Sequence, residues 1–402
     1  MLSSPATFSR LQRLATAPGK RALHDLVTLP DKKPVISYGP PGRSAVTGHV
    51  ATVFGCTGFL GRYLVSKLAK AGTQVIIPYR EEDEKRHLKV MGDLGQIVPM
   101  EWDLRDEGQI EECVRHSDIV YNLVGREYDT KNFKFRDVNA TGAGRIADIS
   151  AKSGVPRFVH VSHLNAAADS PSQFFQAKAE GEVLVKEAFS TATIVRPGTM
   201  YGYEDKLLNN IAIWPIWWKL NYAQTKIRPV HVTDVAQALT NLISMSSLPG
   251  TYSLPGPSTL TFEYLLELVS TLTYNPPSRA PVLPRRVALA LAKAAQSVWW
   301  PALSPDEVIR RYIDDADVAG DWETLGVIPD EIENHAITVN YVRPIVLPPS
   351  REPATFLMIF LHTVFVSGKF RLEGDLVCLF ALACYQSQYS NPIDIVTSFV
   401  KE

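Results

Sequence analysis

Three glycines recur at intervals of three residues in the segment FGCTGFLGRYL. Gly55, Gly58 and Gly61 follow a short apolar run and precede a pattern with helical spacing. Between a strand and a helix, such glycines allow a tight turn, close approach to a pyrophosphate and close helix packing, with the phosphate at the helix N-terminus. The segment predicts nucleotide binding, and a purely structural turn is the alternative. The predicted phosphate-binding residues are Gly55, Thr57, Gly58, Phe59, Leu60 and Gly61.

The end of the second predicted strand, QVIIPYR, indicates which nucleotide fits. An acidic residue there would bind the ribose hydroxyls of NAD, whereas this strand ends in Arg80, whose planar guanidinium suits the 2′-phosphate of NADP. The predicted cofactor is therefore NADP(H), with NAD(H) less favoured. A second alternative stays open because the acidic run that follows offers Arg80 an ion pair. That run is Glu81, Glu82, Asp83 and Glu84.

Two further strand ends carry residues suited to a nucleotide. The third strand ends in WDLRD, which puts Asp103 and Leu104 where an adenine ring would lie. The fourth ends in NLVG, which puts Asn122, Leu123 and Gly125 near the ribose and the pyrophosphate. Asp and Asn also cap turns in many proteins, so a structural role is the alternative. We expect these residues to contact the nucleotide.

The elements that would position these residues alternate along the chain from His49 onward. Apolar runs such as HVATVF, DIVYNLVG, RFVHVSHL and ATIVRPG are separated by helical patterns such as GRYLVSKLAKAG and AKAEGEVLVKEAF. Strands that alternate with helices of this size form right-handed βαβ units and a parallel sheet covered on both faces. The predicted fold class is α/β, a doubly wound parallel sheet of Rossmann type with a smaller C-terminal α/β lobe.

The overall composition excludes several classes of protein. The 402 residues suffice for a large main domain and a second lobe. With 41 basic and 42 acidic side chains, the net charge of -1 does not favour a nucleic-acid surface. The four cysteines show no CxxC or disulfide spacing, which indicates structural thiols in a reducing compartment. The sequence has no HExxH, GxSxG or P-loop motif, so no metal site is predicted.

The chain divides into segments of different composition. Residues 1–30 are rich in basic and hydroxyl residues and contain no acid before Asp25, as is typical of a mitochondrial transit peptide; a disordered basic tail is the alternative. Residues 31–48 are rich in Pro and Gly and predict an extended arm. The remaining predicted segments are an NAD(P)-binding domain over 49–202, a second lobe over 203–347 that partly returns to the core, and an apolar tail over 348–402.

Two apolar segments of the C-terminal half bear on membrane contact. The Trp-rich segment IWPIWWKLNYAQTK predicts either a membrane-interface or docking surface or a buried helix. The apolar runs after Glu352 are interrupted by charges before they reach the ~20 residues of a membrane-spanning helix, so they predict an interfacial or docking element instead. In HVTDVAQAL, Asp234 is predicted to be a helix N-cap rather than a catalytic group.

Several of these motifs occur together in one known family. VFGCTGFLGRYL, VNATG, FVHVSHLNA, KAEGE and IVRPGTMYGYEDKLLN resemble the atypical, extended short-chain dehydrogenases/reductases, and among them the accessory subunits of mitochondrial respiratory complex I (NADH:ubiquinone oxidoreductase). The resemblance covers roughly Val46 to Leu347. It implies the extended Rossmann-type fold, a bound NADP(H), other complex I subunits as partners, and a peripheral position on the matrix side of the inner membrane.

The resemblance also locates the expected chemistry. Reductases of this superfamily use Tyr-x-x-x-Lys, in which the lysine lowers the pKa of the tyrosine, the tyrosine transfers a proton, and a nearby serine fixes the substrate. In SQFFQAKAEGE the lysine is Lys178, but the residue four positions earlier is Phe174, which cannot titrate. The cofactor contacts implied at this end are Ser162, Lys178, Arg196, Pro197 and Gly198.

This pattern favours a holder of the nucleotide over a catalyst. The resemblance implies a non-catalytic, NADP(H)-binding accessory subunit of complex I, needed for assembly and stability, because a ligand that binds only the folded state stabilises it. One alternative is a free mitochondrial NADP-dependent reductase or epimerase in which His160, His163 or another tyrosine replaces the missing one. Another is an NADP(H)-sensing regulator without a fixed partner. Contact with membrane-surface lipid is an additional hypothesis, and no nucleic-acid partner is expected.

Overall fold

The computed structural model describes residues 25–28, 34–37, 45–130, 132–209, 219–245, 250–273, 282–297 and 304–335. Most of the predicted transit peptide, the tryptophans of the Trp-rich segment and the predicted apolar tail lie outside these residues. Within them, no helix combines the length and apolar character needed to cross a membrane.

The strands and helices follow one another as the sequence pattern predicts. The strands are β1 (Asp25–Thr28), β2 (Pro34–Ser37), β3 (Val50–Phe54), β4 (Gln74–Tyr79), β5 (Ile97–Glu101), β6 (Ile119–Asn122), β7 (Arg157–Val161), β8 (Thr193–Pro197), β9 (Met200–Tyr201), β10 (Lys226–Ile227), β11 (Val230–His231), β12 (Thr251–Leu254) and β13 (Leu260–Thr261). The α-helices are α1 (Phe59–Ala71), α2 (Arg86–Lys89), α3 (Glu107–Val114), α4 (Gly142–Lys152), α5 (Gln173–Ala188), α6 (Val232–Asn241), α7 (Phe262–Thr273), α8 (Arg285–Ser297) and α9 (Pro305–Arg310).

Seven of the strands form one sheet in the order β12-β8-β7-β6-β3-β4-β5, and every pair is parallel. The order reverses between β3 and β6, and in such sheets a crevice for a ligand opens at the carboxyl ends of the strands at this point. The edge strand β12 comes from the C-terminal half of the chain. The predicted α/β fold class is confirmed.

Both faces of the sheet are covered by helices, as expected for buried parallel strands. On one face Leu64 of α1 and Val235 of α6 are fully buried; on the other, Ile146 of α4 and Val185 of α5 are fully buried. Burying one such side chain contributes ~1.5–3 kcal/mol. The two cores hold the carboxyl ends of the strands in fixed positions relative to one another.

Two of the four cysteines lie in the described residues, and both are buried and free. The thiol of Cys56 donates to the carbonyl of Pro78 at 3.2 Å. Burial raises the pKa of Cys56 to about 12, so this thiol stays protonated at neutral pH. The burial of these two thiols agrees with the prediction that the cysteines have a structural role.

The prediction that Asp234 caps a helix is wrong. The helix α6 begins at Val232, directly after the two-residue strand β11, and its N-cap residue is His231. Asp234 lies in the first turn, where its Oδ2 accepts a hydrogen bond from the backbone N–H of Asp330 at 2.9 Å. The pattern of apolar residues does not show where so short a strand ends and the helix starts, so the cap was placed too far along the chain.

The last described segment, 304–335, contacts one edge of the main sheet. Trp322 donates its Nε1–H to the carbonyl of Pro255 at 2.9 Å, and the N–H of Asp321 binds the carbonyl of Ser253. Further along, Asn241 of α6 binds the carbonyl of Leu325 at 2.8 Å. This segment therefore packs against the edge strand β12 and against α6.

Candidate nucleotide-binding site

The glycine loop between β3 and α1 has the close packing that its spacing predicts. Gly55 adopts a φ of +81°, and a Cβ there would lie 3.0 Å from the carbonyl carbon of Leu123, at the end of β6. A Cβ on Gly61 would lie only 2.4 Å from the carbonyl oxygen of Gly55. Side chains at these two positions would therefore push the loop away from the strand ends or from its own helix.

The first turn of α1 is left open to an anion. Its N-cap residue, Gly58, is extended, no side chain caps the helix, and its first turn holds no acidic residue. A Cβ on Gly58 would contact only the carbonyl oxygen of Gly55 within 4 Å, at 3.2 Å. Uncapped backbone N–H groups at the positive end of a helix fit a pyrophosphate. Leu60 is buried in the core, Phe59 packs edge-on against Tyr63, and Thr57 is half-buried.

Arg80 lies exposed at the carboxyl end of β4. The sequence left open an ion pair between Arg80 and the acids that follow it, and the described residues show none. Glu82 instead binds Lys85 at 2.6 Å, and Asp83 binds Arg86 at 2.9 Å. The guanidinium of Arg80 forms no ion pair within the described part of the chain. It is therefore free to bind a phosphate.

The two residues predicted to hold adenine lie at the neighbouring strand end and differ in exposure. Asp103 is exposed, and its Oδ1 accepts the backbone N–H of Arg105 at 2.8 Å, as in a turn cap. Leu104 is buried in the core beneath α4, where its side chain faces Gly142. Their contact with the nucleotide stays a prediction, and Leu104 has a clear structural role.

The end of β6 meets the helix that carries Lys178. Asn122 is fully buried; its Oδ1 accepts the N–H of Val124 at 3.1 Å, while its Nδ2 has no partner among the described residues. The N–H of Leu123 binds the carbonyl of Phe54. A Cβ on Gly125 would lie 3.1 Å from Nζ of Lys178. The structure thus brings together Gly125 and Lys178, two residues far apart in sequence that are predicted to lie near the ribose.

Lys178 and Ser162 form the expected ribose end of the site. Lys178 is 6% exposed and donates to the carbonyl of Val161 at 3.2 Å. Burial lowers its pKa to about 8, and Glu127 and Glu182 oppose the shift. The hydroxyl of Ser162 is buried without a partner in the described residues. Buried polar atoms are normally hydrogen-bonded, so the free atoms of Ser162 and Asn122 fit the polar groups of a bound nucleotide.

Phe174 lies at the position where a reductase would have its proton donor. Its ring is 6% exposed, packs against Phe135 and Phe175, and has Nζ of Lys178 5.9 Å from its centroid. The ring lies beside the lysine, as the tyrosine of Tyr-x-x-x-Lys would, but it carries no hydroxyl. The group that would exchange a proton with a substrate is absent from this position.

The side chains proposed as substitutes are poorly suited to proton transfer. Burial lowers the pKa of His160 and of His163 to about 3, assisted at His160 by Lys178 and at His163 mainly by Arg310. Both imidazoles therefore stay neutral at pH 7, so neither can act as a general acid through an imidazolium. The hydroxyl of Tyr201 is turned to the carbonyl of Asp330, on the last described segment.

The residues predicted at the end of β8 have structural partners. Arg196 forms a two-pronged ion pair with the buried Glu182 of α5, at 2.8 and 2.5 Å. The carbonyl of Pro197 accepts the N–H of Leu164. A Cβ on Gly198 would lie 2.5 Å from the carbonyl oxygen of Arg228. The three residues shape this edge of the crevice, and their contact with a cofactor stays a prediction.

Sequence reasoning missed other residues that shape the site. Asn139, within VNATG, accepts the N–H of Arg126 and donates to its carbonyl at 2.9 Å, which fixes the loop after β6. The spacing within VNATG does not indicate this role. Asp306 and Arg310 carry no spacing signal either, because α9 is more than 130 residues from the helix that it contacts.

Comparison with known proteins agrees with this geometry. The profile of a family described as NAD(P)H-binding matches residues 55–245. The chain is 44% identical over 328 residues to the NADH-ubiquinone oxidoreductase 40 kDa subunit, mitochondrial, of Neurospora crassa, covering 81% of this chain and 86% of that one. It is 39% identical over 350 residues to NADH dehydrogenase [ubiquinone] 1 alpha subcomplex subunit 9, mitochondrial, of Rattus norvegicus, covering 84% and 90%.

Solved structures agree on the fold. The structure described as gox2253 matches with a TM-score of 0.55 and 18% identity, covering 73% of this chain and 97% of that one. The PbgP3 protein from Burkholderia pseudomallei matches with a TM-score of 0.54 and 14% identity, covering 73% and 95%.

The parallel sheet and the glycine loop define a Rossmann-type α/β protein of an NAD(P)H-binding class. Within that class, the chain belongs to the family of the mitochondrial complex I 40 kDa subunit, also named alpha subcomplex subunit 9.

Proposed function

We propose that this protein is an accessory subunit of mitochondrial respiratory complex I that holds NADP(H) as a structural ligand and does not turn it over. The names of its relatives from Neurospora crassa and Rattus norvegicus support the subunit role and the mitochondrial location. The match to an NAD(P)H-binding family supports a nicotinamide nucleotide. Retention without turnover is our own inference from the site.

The observation that carries the proposal is Phe174. The glycine loop, the open first turn of α1 and Lys178 provide what a dinucleotide needs, whereas the ring at the proton-donor position cannot titrate. A nucleotide bound there contributes to the free energy of unfolding in proportion to the logarithm of its concentration relative to Kd, about 4 kcal/mol at a thousandfold excess. Such a ligand stabilises the subunit, and through it the assembly.

The preference for NADP(H) over NAD(H) is supported by Arg80. Its guanidinium lies at the end of β4 without an ion pair among the described residues, and two of the following acids, Glu82 and Asp83, are paired with Lys85 and Arg86 instead. A free guanidinium can bind the 2′-phosphate through two parallel hydrogen bonds. NAD(H) offers it no such group.

We further propose that the protein is peripheral on the matrix side of the inner membrane and contacts other complex I subunits there. The Trp-rich segment is the proposed point of contact with subunits or lipid, and its three tryptophans lie outside the described residues. We also propose that residues 1–30 form a mitochondrial transit peptide that is removed from the mature protein. Amino-terminal sequencing of the mature protein tests that boundary.

Purification from mitochondria in mild detergent tests the function directly. We expect the protein to migrate with a megadalton assembly on a native gel and to release NADP(H), identified by mass spectrometry, only on denaturation. A free monomer or dimer that reduces a carbonyl compound or epimerises a sugar would instead support the reductase alternative. Rapid exchange of the nucleotide, without a fixed partner, would support the regulator.

A further inference from the structure

A carboxylate from the C-terminal segment caps the helix that carries Phe174 and Lys178. Asp306, in the first turn of α9, is 5% exposed. Its Oδ2 accepts the hydroxyl of Ser172, the N-cap residue of α5, and its Oδ1 accepts the N–H of Gln173, both at 2.8 Å. The side chain of Ser172 does not cap α5 itself. Asp306 therefore supplies, from 134 residues away, the acceptor that a helix normally finds locally.

Arg310, one turn further along α9, covers the ring of Phe174. Its guanidinium carbon lies 4.9 Å from the ring centroid, and its side chain is only 17% exposed. Its Nε lies 3.5 Å from Oδ2 of Asp306. A guanidinium over an aromatic face is attracted by the ring, and more strongly when water is excluded. The two residues of α9 thus hold the start of α5 and the face of its first aromatic ring.

Glu127 connects Arg310 to two further elements. Its Oε2 lies 4.0 Å from Nη2 of Arg310 and 3.7 Å from Nζ of Lys206, which follows β9. On the other side, the ring of His163 packs against Phe174, with 6.1 Å between centroids. In a reductase the substrate would approach its proton donor here. In this protein, Arg310 and His163 pack against Phe174, and Glu127 connects Arg310 to Lys206.

We propose that Asp306 and Arg310 form a clamp that closes the substrate end of the crevice over Phe174 and slows the release of the bound nucleotide. The proposal rests on the proposed function, because it explains how the ligand would be retained. Lys178 lies one helical turn after Phe174 on α5, so a nucleotide held by Lys178 leaves more slowly when α5 is fixed at its start. The clamp also fills the space that a substrate would need.

The rate of nucleotide release tests this clamp. The full chain, loaded with NADPH, is mixed with an excess of an NADPH-consuming enzyme that traps released nucleotide, and the decay of NADPH fluorescence is followed. We expect Arg310→Ala to release NADPH about tenfold faster than the wild type, the change that loss of a desolvated cation–π contact would produce. Asp306→Asn is expected to accelerate release in the same direction.

Arg311→Ala is the matched control. Arg311 is adjacent in sequence, lies 3.5 Å from Glu307 and 4.5 Å from the ring of Phe262, and has no contact with Phe174. We expect its release rate to stay within about twofold of the wild type, well below the tenfold change expected of a lost desolvated contact. A release rate that rises equally in Arg310→Ala and Arg311→Ala would indicate general loosening of α9 and would overturn the clamp.

The outcomes separate this inference from the proposed function. If the wild type retains NADPH and Arg310→Ala releases it equally slowly, the clamp is wrong and the proposed function stands. If the wild type binds no NADP(H), both fail. Should Arg310→Ala not fold, as judged by circular dichroism, Arg310→Lys replaces it, since it keeps the charge and loses the planar contact. An unchanged release rate in Arg310→Lys, together with an unchanged rate in Asp306→Asn, then counts against the clamp.

Discussion

The two ends of the crevice are built from different kinds of groups. At the pyrophosphate end, the groups offered to a ligand are backbone N–H groups of an uncapped helix, placed by glycines that leave no room for a Cβ. At the substrate end, the groups that would react are side chains, and the position of the proton donor is taken by Phe174 under Arg310. Binding and turnover therefore depend on separate structural features of one crevice.

The difference explains how one end can persist while the other changes. Any side chain at Gly61 collides with the loop, so the binding end cannot change without disturbing the packing of α1 on β3. A tyrosine and a phenylalanine differ by one hydroxyl, so the substrate end can lose its proton donor while the ring keeps its contacts with Phe135 and Phe175. A phenylalanine at position 174 therefore keeps the packing that a tyrosine ring would make there.

The largest effect is expected when the binding end is disturbed. In Gly61→Val, the new Cβ would lie 2.4 Å from the carbonyl oxygen of Gly55 and 2.6 Å from Cα of Cys56. Because backbone atoms cannot move aside cheaply, we expect the free energy of unfolding in urea to fall by about 3 kcal/mol, with loss of nucleotide binding. Gly108→Ala, whose Cβ would meet only Asp106 at 3.4 Å, is the control and should stay close to the wild type. An equal loss in the free energy of unfolding for the two variants would contradict the role of close packing at Gly61.

A smaller effect, confined to one cofactor, is expected from Arg80→Gln. Loss of a charge-assisted contact with the 2′-phosphate should raise the Kd for NADPH by roughly thirtyfold and leave the Kd for NADH nearly unchanged. Calorimetric titration with both nucleotides measures this. Arg86→Gln is the control, because Arg86 is exposed and paired with Asp83. A similar loss for NADPH and NADH would show that Arg80 does not contact the phosphate.

The association constant for the nucleotide should also depend on pH, through Lys178 at the ribose end of the site. Burial lowers the pKa of its ammonium group to about 8, so the nucleotide-free protein loses this charge as the pH rises through that value. The charged form binds an anionic nucleotide more tightly, so the association constant should fall above about pH 8, by at most about tenfold per pH unit for one proton. Fluorescence titrations from about pH 7 to pH 9.5 measure it. The Lys178→Met variant should bind the nucleotide more weakly, and its association constant should not fall above about pH 8. An equally steep fall in this variant would show that another group causes the pH dependence.

The smallest effect is expected from restoring the hydroxyl at the substrate end. In Phe174→Tyr the added group is buried beside Lys178, so we expect a loss of about 1 kcal/mol in the free energy of unfolding and no turnover of NADPH with carbonyl compounds, because Arg310 still covers the ring. Phe175→Tyr controls for the added hydroxyl. Turnover in Phe174→Tyr alone would show that a single side chain separates a holder from a catalyst in this crevice.

Much of the fold was predictable because it depends on short-range patterns. The alternation of apolar runs and helical segments predicted six of the seven strands of the main sheet in their order along the chain, and the glycine spacing predicted the loop before α1. The position of Asp234 was not predictable, because a strand of two residues leaves no periodic signal before α6. The absence of a titratable residue at position 174 was visible directly, since Tyr-x-x-x-Lys is a spacing within one helix.

The sequence by itself determined the nucleotide cradle, the strand that places Arg80 and the loss of the proton donor, because each depends on residues within a few positions of one another. Only the tertiary structure decided that Arg196 pairs with Glu182, that Leu104 is buried, and that α9 caps α5 and covers Phe174. Those contacts join side chains from separate elements, and which side chains meet depends on how the elements pack, which no local spacing encodes.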